Sequence, residues 1–286
     1  MMTTPVPLID RLDEIAGRYA VLLCDVWGVV HNGVTAFAGA SEALSRARRA
    51  GAVVVLVTNA ARSHGEVAEQ LAAIGVPRHS WDRIVTSGDV TRSLVRAASR
   101  KVFHLGRERD LVFFSGIDVD LVDAAEAEVV VCTALRDDDH EPALYREMLG
   151  ELRGRDLPFI CANPDIFFER GDRRIWCAGA LAAEYEKLGG RVLVAGKPHR
   201  PIYEASLNVA SRVAGRPLLA SEALAIGDGI LTDVTGAVRH GIDVLYVSGG
   251  IHAGEYGDTL RPDGERLATF LAAHGLAPTA AIPVLR

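Results

Sequence analysis

Apolar residues gather in short β-branched runs along this chain, and longer stretches rich in Ala, Leu and Arg separate them. That alternation predicts an α/β fold, a mostly parallel sheet flanked by helices. The first strand is expected over Tyr19–Cys24, ending at Asp25, with a helix over about 40–50 behind it. A strand over Ala52–Val57 ends at Thr58-Asn59, a helix covers about 65–74, and a short strand spans Asp82–Ser87. From about Gly88 to Gly190 a second α/β unit is expected, with strands at Lys101–Leu105, Glu128–Thr133 and Phe159–Ala162. A helix over about 176–188, stopped by Gly189-Gly190, closes that section. The first pattern resumes with a strand at Arg191–Ala195, a helix from Pro201, a strand at Ala223–Ile226 and a final one at Val244–Val247. One domain, 88–190, is therefore expected as an insertion in another, formed by 1–87 and 191–286.

Four of the apolar runs stop at a residue suited to phosphoryl transfer: Asp25, Thr58, Lys197 and Asp228. Ligands of open parallel sheets bind outside the carboxyl ends of the strands. If the four runs share one sheet, these residues converge on one crevice. Singly, each has an ordinary explanation: a capping aspartate, a solvated lysine, a Gly-Asp-Gly turn. Together their chemistry is complementary. A carboxylate at position 25 can attack phosphorus in line and form an aspartyl-phosphate, which water then hydrolyses. Two anions repel, so the approach needs screening. Asp25 and Asp228 could hold Mg2+ through oxygen ligands, and Lys197 would add a fixed positive charge. Thr58 offers a hydroxyl, and Asn59 a backbone N–H, to phosphate oxygens. Asp233, five residues beyond Asp228, is placed to orient water at the cation, or Lys197.

The segments Val21–Gly33 (VLLCDVWGVVHNG), Val53–Asn59 (VVVLVTN), Gly196–Glu204 (GKPHRPIYE) and Ala225–Gly236 (AIGDGILTDVTG) carry a family resemblance, with Ala162–Asp165 (ANPD) between them. In this order they resemble the haloacid dehalogenase superfamily, specifically its class IIA branch of NagD-like nucleotide- and sugar-phosphate phosphatases. GDGILTD is the most specific of them. The resemblance implies a Rossmann-like core with an α/β class IIA (C2) cap inserted between the Thr58 and Lys197 motifs. It also implies that magnesium is held by Asp25, Asp228 and the backbone carbonyl of Trp27. Asn163 and Asp165, at the end of a cap strand, are candidates to face the substrate. A cap-mediated homodimer is compatible with the resemblance.

The pattern breaks at Trp27, where most phosphatases of this superfamily carry a second aspartate that protonates the leaving oxygen. An indole cannot exchange a proton near neutral pH, and losing a general acid–base typically costs about 10²–10⁴-fold in rate. Three outcomes are open. The enzyme uses substrates with good leaving groups; His31, in the flap after Asp25, takes over; or turnover is impaired and the chain mainly binds or senses a phosphorylated ligand. A phosphotransferase that uses an acceptor other than water is a further reading.

Composition narrows the setting. The chain has 286 residues, 49% of them apolar and 24% charged, and a net charge of -6, which argues against a general nucleic-acid binder. Cys24, Cys132, Cys161 and Cys177 are widely spaced without a CxxC pair, as expected for free thiols in a reducing compartment. The N-terminal twenty residues lack a signal-peptide pattern, and no run approaches a membrane span. A cytoplasmic magnesium-dependent phosphatase is expected, with a small phosphorylated metabolite as its partner. Asp137–His140 is read as a solvated acidic helix entrance, Gly106–Asp110 as a surface charge cluster, and His199 as a helix-entry residue.

Overall fold

The structure, a computed structural model, describes residues 6–170 and 173–286; the start of the N-terminal stretch read above lies outside them. The chain divides into two compact units. The first runs to Thr58 and includes Ala68–Val85 and Tyr203–Arg286; the second is Asn59–Val67 with Thr86–Ile202. The second unit thus takes in residues on both sides of the 88–190 insertion expected from sequence.

The strands, in chain order, are β1 (Val21–Asp25), β2 (Val53–Thr58), β3 (Arg83–Thr86), β4 (Lys101–Leu105), β5 (Asp120–Leu121), β6 (Val129–Cys132) and β7 (Phe159–Cys161). They continue with β8 (Phe167–Arg170), β9 (Arg173–Trp176), β10 (Val192–Val194), β11 (Ala223–Gly227), β12 (Asp243–Val247) and β13 (Ala280–Ile282). Among the described residues, six strands of the first unit form one sheet in the order β13-β12-β11-β1-β2-β3. The pairings of β1, β2, β11, β12 and β13 are parallel, with Val21 opposite both Ala223 and Val53. Every residue of β1, β2 and β11 is buried. That explains why their sequences read as unbroken apolar runs: a strand covered on both faces has no polar side to show. Fully buried Leu22, Leu44 and Leu56 each contribute roughly 1.5–3 kcal/mol through burial.

The chain lays down β1, β2 and β3 to one side and β11, β12 and β13 to the other. The strand order therefore reverses between β1 and β11. At such a switch point the connections leave in opposite directions and open a crevice at the carboxyl ends of the strands. Asp25 ends one of these two strands, and Asp228 follows the other.

In the second unit, parallel strands run in the order β10-β7-β6-β4-β5, and β8 and β9 form an antiparallel pair. Leu149 and Leu152 of the helix Arg146–Gly154 and Leu181 and Tyr185 of the helix Ala178–Lys187 pack with Phe159 in one core. The Tyr185 ring stacks on Phe159 with centroids 5.1 Å apart, and its hydroxyl donates to the Leu157 carbonyl at 2.7 Å. Val95, Phe113, Phe114 and Ile160 form a second core cluster.

Two expectations need correction. The strand before Lys197 pairs with β7 in the sheet of the second unit, so the four runs ending in Asp25, Thr58, Lys197 and Asp228 do not share one sheet. Three of them do. With three residues and one exposed side chain, β10 is an edge strand whose sequence carries no sign of which sheet it joins. Nor is Val244–Val247 the last strand: β13 follows it, too short and too bounded by prolines to announce itself. All four cysteines are free and buried, as expected. Burial pushes the Cys161 thiol up to about 12 and raises Cys132 and Cys177 as well, so none of these three is poised as a thiolate. Among the described residues no helix is long and apolar enough to cross a membrane.

Candidate functional site

Asp25, Asp228 and Asp233 come together in the first unit. One carboxylate oxygen of each lies within 4.8 Å of the others, and the three residues are only 5–7% exposed. Three negative charges at that spacing repel by about 3 kcal/mol per pair even at an effective dielectric constant near 20. Buried carboxylates must be neutralised by a proton or by a counter-ion. An all-oxygen donor set of this kind suits a hard divalent cation.

The backbone is shaped around Asp228. A Cβ added to Gly28 or to Gly250 would overlap its carboxylate, so the group lies between two glycine backbones. Gly28 also has φ +83, a conformation that side chains with a Cβ rarely adopt. The Ile251 N–H donates to Asp228 Oδ2 at 2.9 Å. Asp233 sits on a short π-helical turn, Ile230–Val234, where the Gly229 N–H and the Thr232 hydroxyl both donate to its Oδ2 at 3.2 Å. A side chain at Gly227 would overlap Asp233. The Tyr203 hydroxyl lies 3.3 Å from the carbonyls of Thr232 and Asp233, fixing the same turn.

Trp27 and His31 belong to the tight loop that follows β1. The Gly28 N–H donates to the His31 carbonyl at 2.8 Å, and the Val30 N–H to the Val26 carbonyl at 2.9 Å. Trp27 is half-buried, its indole lying edge-on to the His31 ring with centroids 5.1 Å apart. The indole also occupies the space that a side chain at Gly33 would need. His31 is buried, and its Nδ1 accepts from the Gly33 N–H at 2.8 Å. With Nδ1 as the acceptor, the neutral ring carries its proton on Nε2. Thr58 ends β2, next to β1 in the sheet, and is buried.

The remaining sequence candidates lie in the second unit, where Asn59 organises them. Its side-chain carbonyl accepts from the Lys197 N–H at 2.7 Å, and its amide donates to the Lys197 carbonyl at 3.1 Å and to Asp165 Oδ1 at 2.8 Å. One planar amide thus clips the Lys197 backbone from both sides. Lys197 itself is buried. Gly196 makes the approach possible, since a Cβ there would crowd Asn59 Oδ1 and Ser87 Oγ, each at 2.7 Å. Asn163 Oδ1 accepts from the Asp165 N–H at 3.0 Å and closes the turn that presents Asp165.

The sequence suggested a backbone N–H as the contribution of Asn59. The side-chain clamp on Lys197 was not legible, because its partners stand 106 and 138 positions away. The Gly28–Gly250–Ile251 surround of Asp228 was also missed; the pair Gly249-Gly250 was its only trace in the sequence. Asp137–His140 and Gly106–Asp110, read as separate solvated clusters, meet each other. Arg107 pairs with Asp138, which Arg170 also contacts at 3.3 Å, and Arg173 pairs with Asp139. A cavity of about 440 Å³ beside them is lined by both signs of charge, including Asp138, Glu169, Arg174 and Trp176. His199 is exposed and donates its N–H to the Gly196 carbonyl just before the helix Arg200–Ala214.

Comparison with known proteins places this geometry in context. Residues 22–120 match a family model described as haloacid dehalogenase-like hydrolase, and residues 194–272 match a second, HAD-hydrolase-like model. A haloacid dehalogenase-like hydrolase from Brucella suis is 52% identical, covers 97% of this chain and 100% of its own, and superposes with a TM-score of 0.87. Human chronophin is 28% identical over 256 residues, 84% of each chain. A glycerol phosphate phosphatase from Mycobacterium tuberculosis, solved in complex with magnesium, is 24% identical with a TM-score of 0.64, over 83% of this chain and 70% of that one.

Gly28→Ala tests the packing around the carboxylates. The added methyl would collide with Asp228 and strain a left-handed φ. The expected result is a Kd for Mn2+, by calorimetric titration of the folded protein, at least about ten-fold weaker than that of the parent. An unchanged Kd would show that Asp228 does not hold the cation.

Proposed function

The chain belongs to the haloacid dehalogenase-like hydrolase family, and from that premise we propose that it is a magnesium-dependent phosphatase of a small organic phosphate, with Asp25 as the nucleophile. The observation that carries this reading is the buried trio of Asp25, Asp228 and Asp233 at the strand-order reversal, with ligand oxygens within 4.8 Å of one another. The trio fits Mg2+ in donor type and charge, and the similar mycobacterial phosphatase was solved with that ion. Asp25 and Asp228, with the Trp27 carbonyl, are proposed to hold it, and Asp233 to complete the surround. When bound, magnesium would offset the charge of the approaching phosphate and let a carboxylate draw near.

The residues then divide the work. An Asp25 oxygen attacks phosphorus, the bond from phosphorus to the ester oxygen breaks, and the phosphoryl group passes to the carboxylate. Water attacks the same phosphorus in a second step, releasing inorganic phosphate and restoring Asp25. Thr58 is proposed to donate its hydroxyl to a phosphate oxygen. Lys197, its backbone fixed by Asn59, is proposed as the ammonium that stabilises the charge developing on phosphorus. Asn163 and Asp165 are proposed to act on the substrate side. Four free, buried thiols support a cytoplasmic setting.

Leaving-group protonation is the distinctive point. Trp27 has no exchangeable acid proton, and its indole is built into the loop by Gly33 and His31. At His31 the Nδ1 atom is taken up by the Gly33 N–H. The chain is therefore proposed to favour phosphates whose leaving group departs with little protonation, aryl and acyl phosphates above alkyl ones.

Two measurements test this. Phosphate release across a metabolite-phosphate panel should depend on Mg2+ and fall by about 10⁴-fold or more in Asp25→Asn. Binding of a phosphorylated ligand without release, in wild type and variant alike, would instead favour a sensor. For Trp27→Asp, log kcat/KM plotted against leaving-group pKa should become shallower, with alkyl phosphates gaining up to about 10²-fold. A plot equally flat in both proteins would remove the leaving-group argument.

A further inference from the structure

Tyr246 and Tyr256 are among the largest fully buried side chains of the protein, and their hydroxyls meet at 2.8 Å. The Tyr256 hydroxyl also lies 2.8 Å from the Ser248 carbonyl oxygen. A carbonyl can only accept, so the single Tyr256 proton goes to Ser248, and Tyr246 must be the donor to Tyr256. The order is fixed: Tyr246 O–H to Tyr256 O–H to Ser248 C=O. Burial above all, with a contribution from the Asp228 carboxylate, pushes the Tyr256 phenol up to about 12, and burial raises Tyr246 too. Both stay protonated at any working pH, and the direction of the chain does not change.

Ser248 begins the segment that surrounds Asp228. Its N–H and that of Gly249 donate to the carbonyls of Ile282 and Pro283 at 2.9 and 2.7 Å, which ties one end to β13 and the residue after it. Gly250 then passes against the Asp228 carboxylate, and Ile251 donates its N–H to Oδ2. The chain turns back through the 3₁₀ turn Ala253–Glu255 and ends at Tyr256, whose ring lies edge-on to Phe270 of the helix Gly264–Ala273 at 5.5 Å. His252, just before that turn, also packs on Phe270, at 5.3 Å. Residues 248–256 thus form a closed strap. Its two ends are joined by one hydrogen bond, from the Tyr256 hydroxyl to the Ser248 carbonyl, and its middle holds Asp228.

We propose that Tyr256 is a positioning residue for the cation site: by bonding Ser248 it fixes the strap that aims the Ile251 N–H at Asp228, and so sets the affinity of the site for a divalent ion. Groups that orient a metal-binding side chain commonly change affinity by about 10–100-fold when removed. The inference rests on the metal reading proposed above and adds to it a residue that makes no contact with the ion.

The test uses full-length, metal-free protein and Mn2+ as the probe, with free Mn2+ followed by electron paramagnetic resonance. Tyr256→Phe keeps the ring and its packing on Phe270 and removes the donor to Ser248. Tyr246→Phe also deletes one buried hydroxyl but leaves the Tyr256–Ser248 bond. The expected result is a Kd about ten-fold weaker in Tyr256→Phe and changed by less than about three-fold in Tyr246→Phe, although both lower the thermal midpoint. A purely structural role would lower both midpoints and leave both Kd values alone, which would overturn the inference. Wild-type protein that binds no Mn2+ would remove the metal reading itself, whereas equal binding by wild type and Tyr256→Phe would remove only the strap. If Tyr256→Phe does not fold, amide exchange at Ile251 in the wild type decides. Protection as deep as that of β1 supports a fixed strap, and exchange at the rate of an exposed loop contradicts it.

Discussion

Three buried carboxylates that share a space of 4.8 Å are the constraint on which the first unit is organised. Left ionised and alone they would repel one another in a medium too poor in water to screen them. A fold that builds such a cluster from two separate strand ends must compensate the charge. The surroundings of the trio show how. Oδ2 of Asp228 and Oδ2 of Asp233 each accept a backbone N–H, and a threonine hydroxyl is added at Asp233. These donors are neutral dipoles, which ease the burial of anions but do not cancel net charge. A divalent cation would add positive charge to these dipoles, which is the basis for proposing the cluster as a metal site.

That demand accounts for details that otherwise look unconnected. Glycine at 28, 227 and 250 allows backbone to pass where any side chain would strike Asp228 or Asp233. The π-helical turn Ile230–Val234 places Asp233 back over Gly229 instead of letting it point along a regular helix. In the second unit, the side-chain amide of Asn59 brackets the Lys197 backbone in the same spirit: a planar group spanning an N–H and a carbonyl fixes position more firmly than one bond would. In both units the candidate side chains are held through backbone, so substitutions beside them are expected to act by displacement as much as by lost chemistry.

The sequence disclosed the parts of this arrangement that depend on composition along a single segment. Fully covered strands such as β1, β2 and β11 announce themselves as apolar runs, and a polar residue at the end of a covered strand is a strong local signal. Asp25, Thr58 and Asp228 were legible for that reason. The motif around Lys197 marks it as a candidate, but the three residues of β10 do not specify which sheet the strand joins. Strands β8 and β9 were not seen, since FFER and RRIW carry charge where a covered strand would not. The Asn59 clamp and the strap across Ser248 and Tyr256 are pairwise, long-range or turn-dependent contacts. Nothing in the order of residues encodes them before the chain has folded. Trp27 shows the converse: its departure from the family pattern is plain in the sequence, but its packing on Gly33 and His31 became evident only in three dimensions.

The account is tested most directly by anomalous X-ray diffraction from crystals of the protein equilibrated with Mn2+. A single strong peak among the carboxylates of Asp25, Asp228 and Asp233, at metal–oxygen distances near 2.2 Å (about 2.0–2.6 Å for hard divalent ions), is the predicted result. A saturated crystal with no peak there, or with its peak at another cluster, would contradict it.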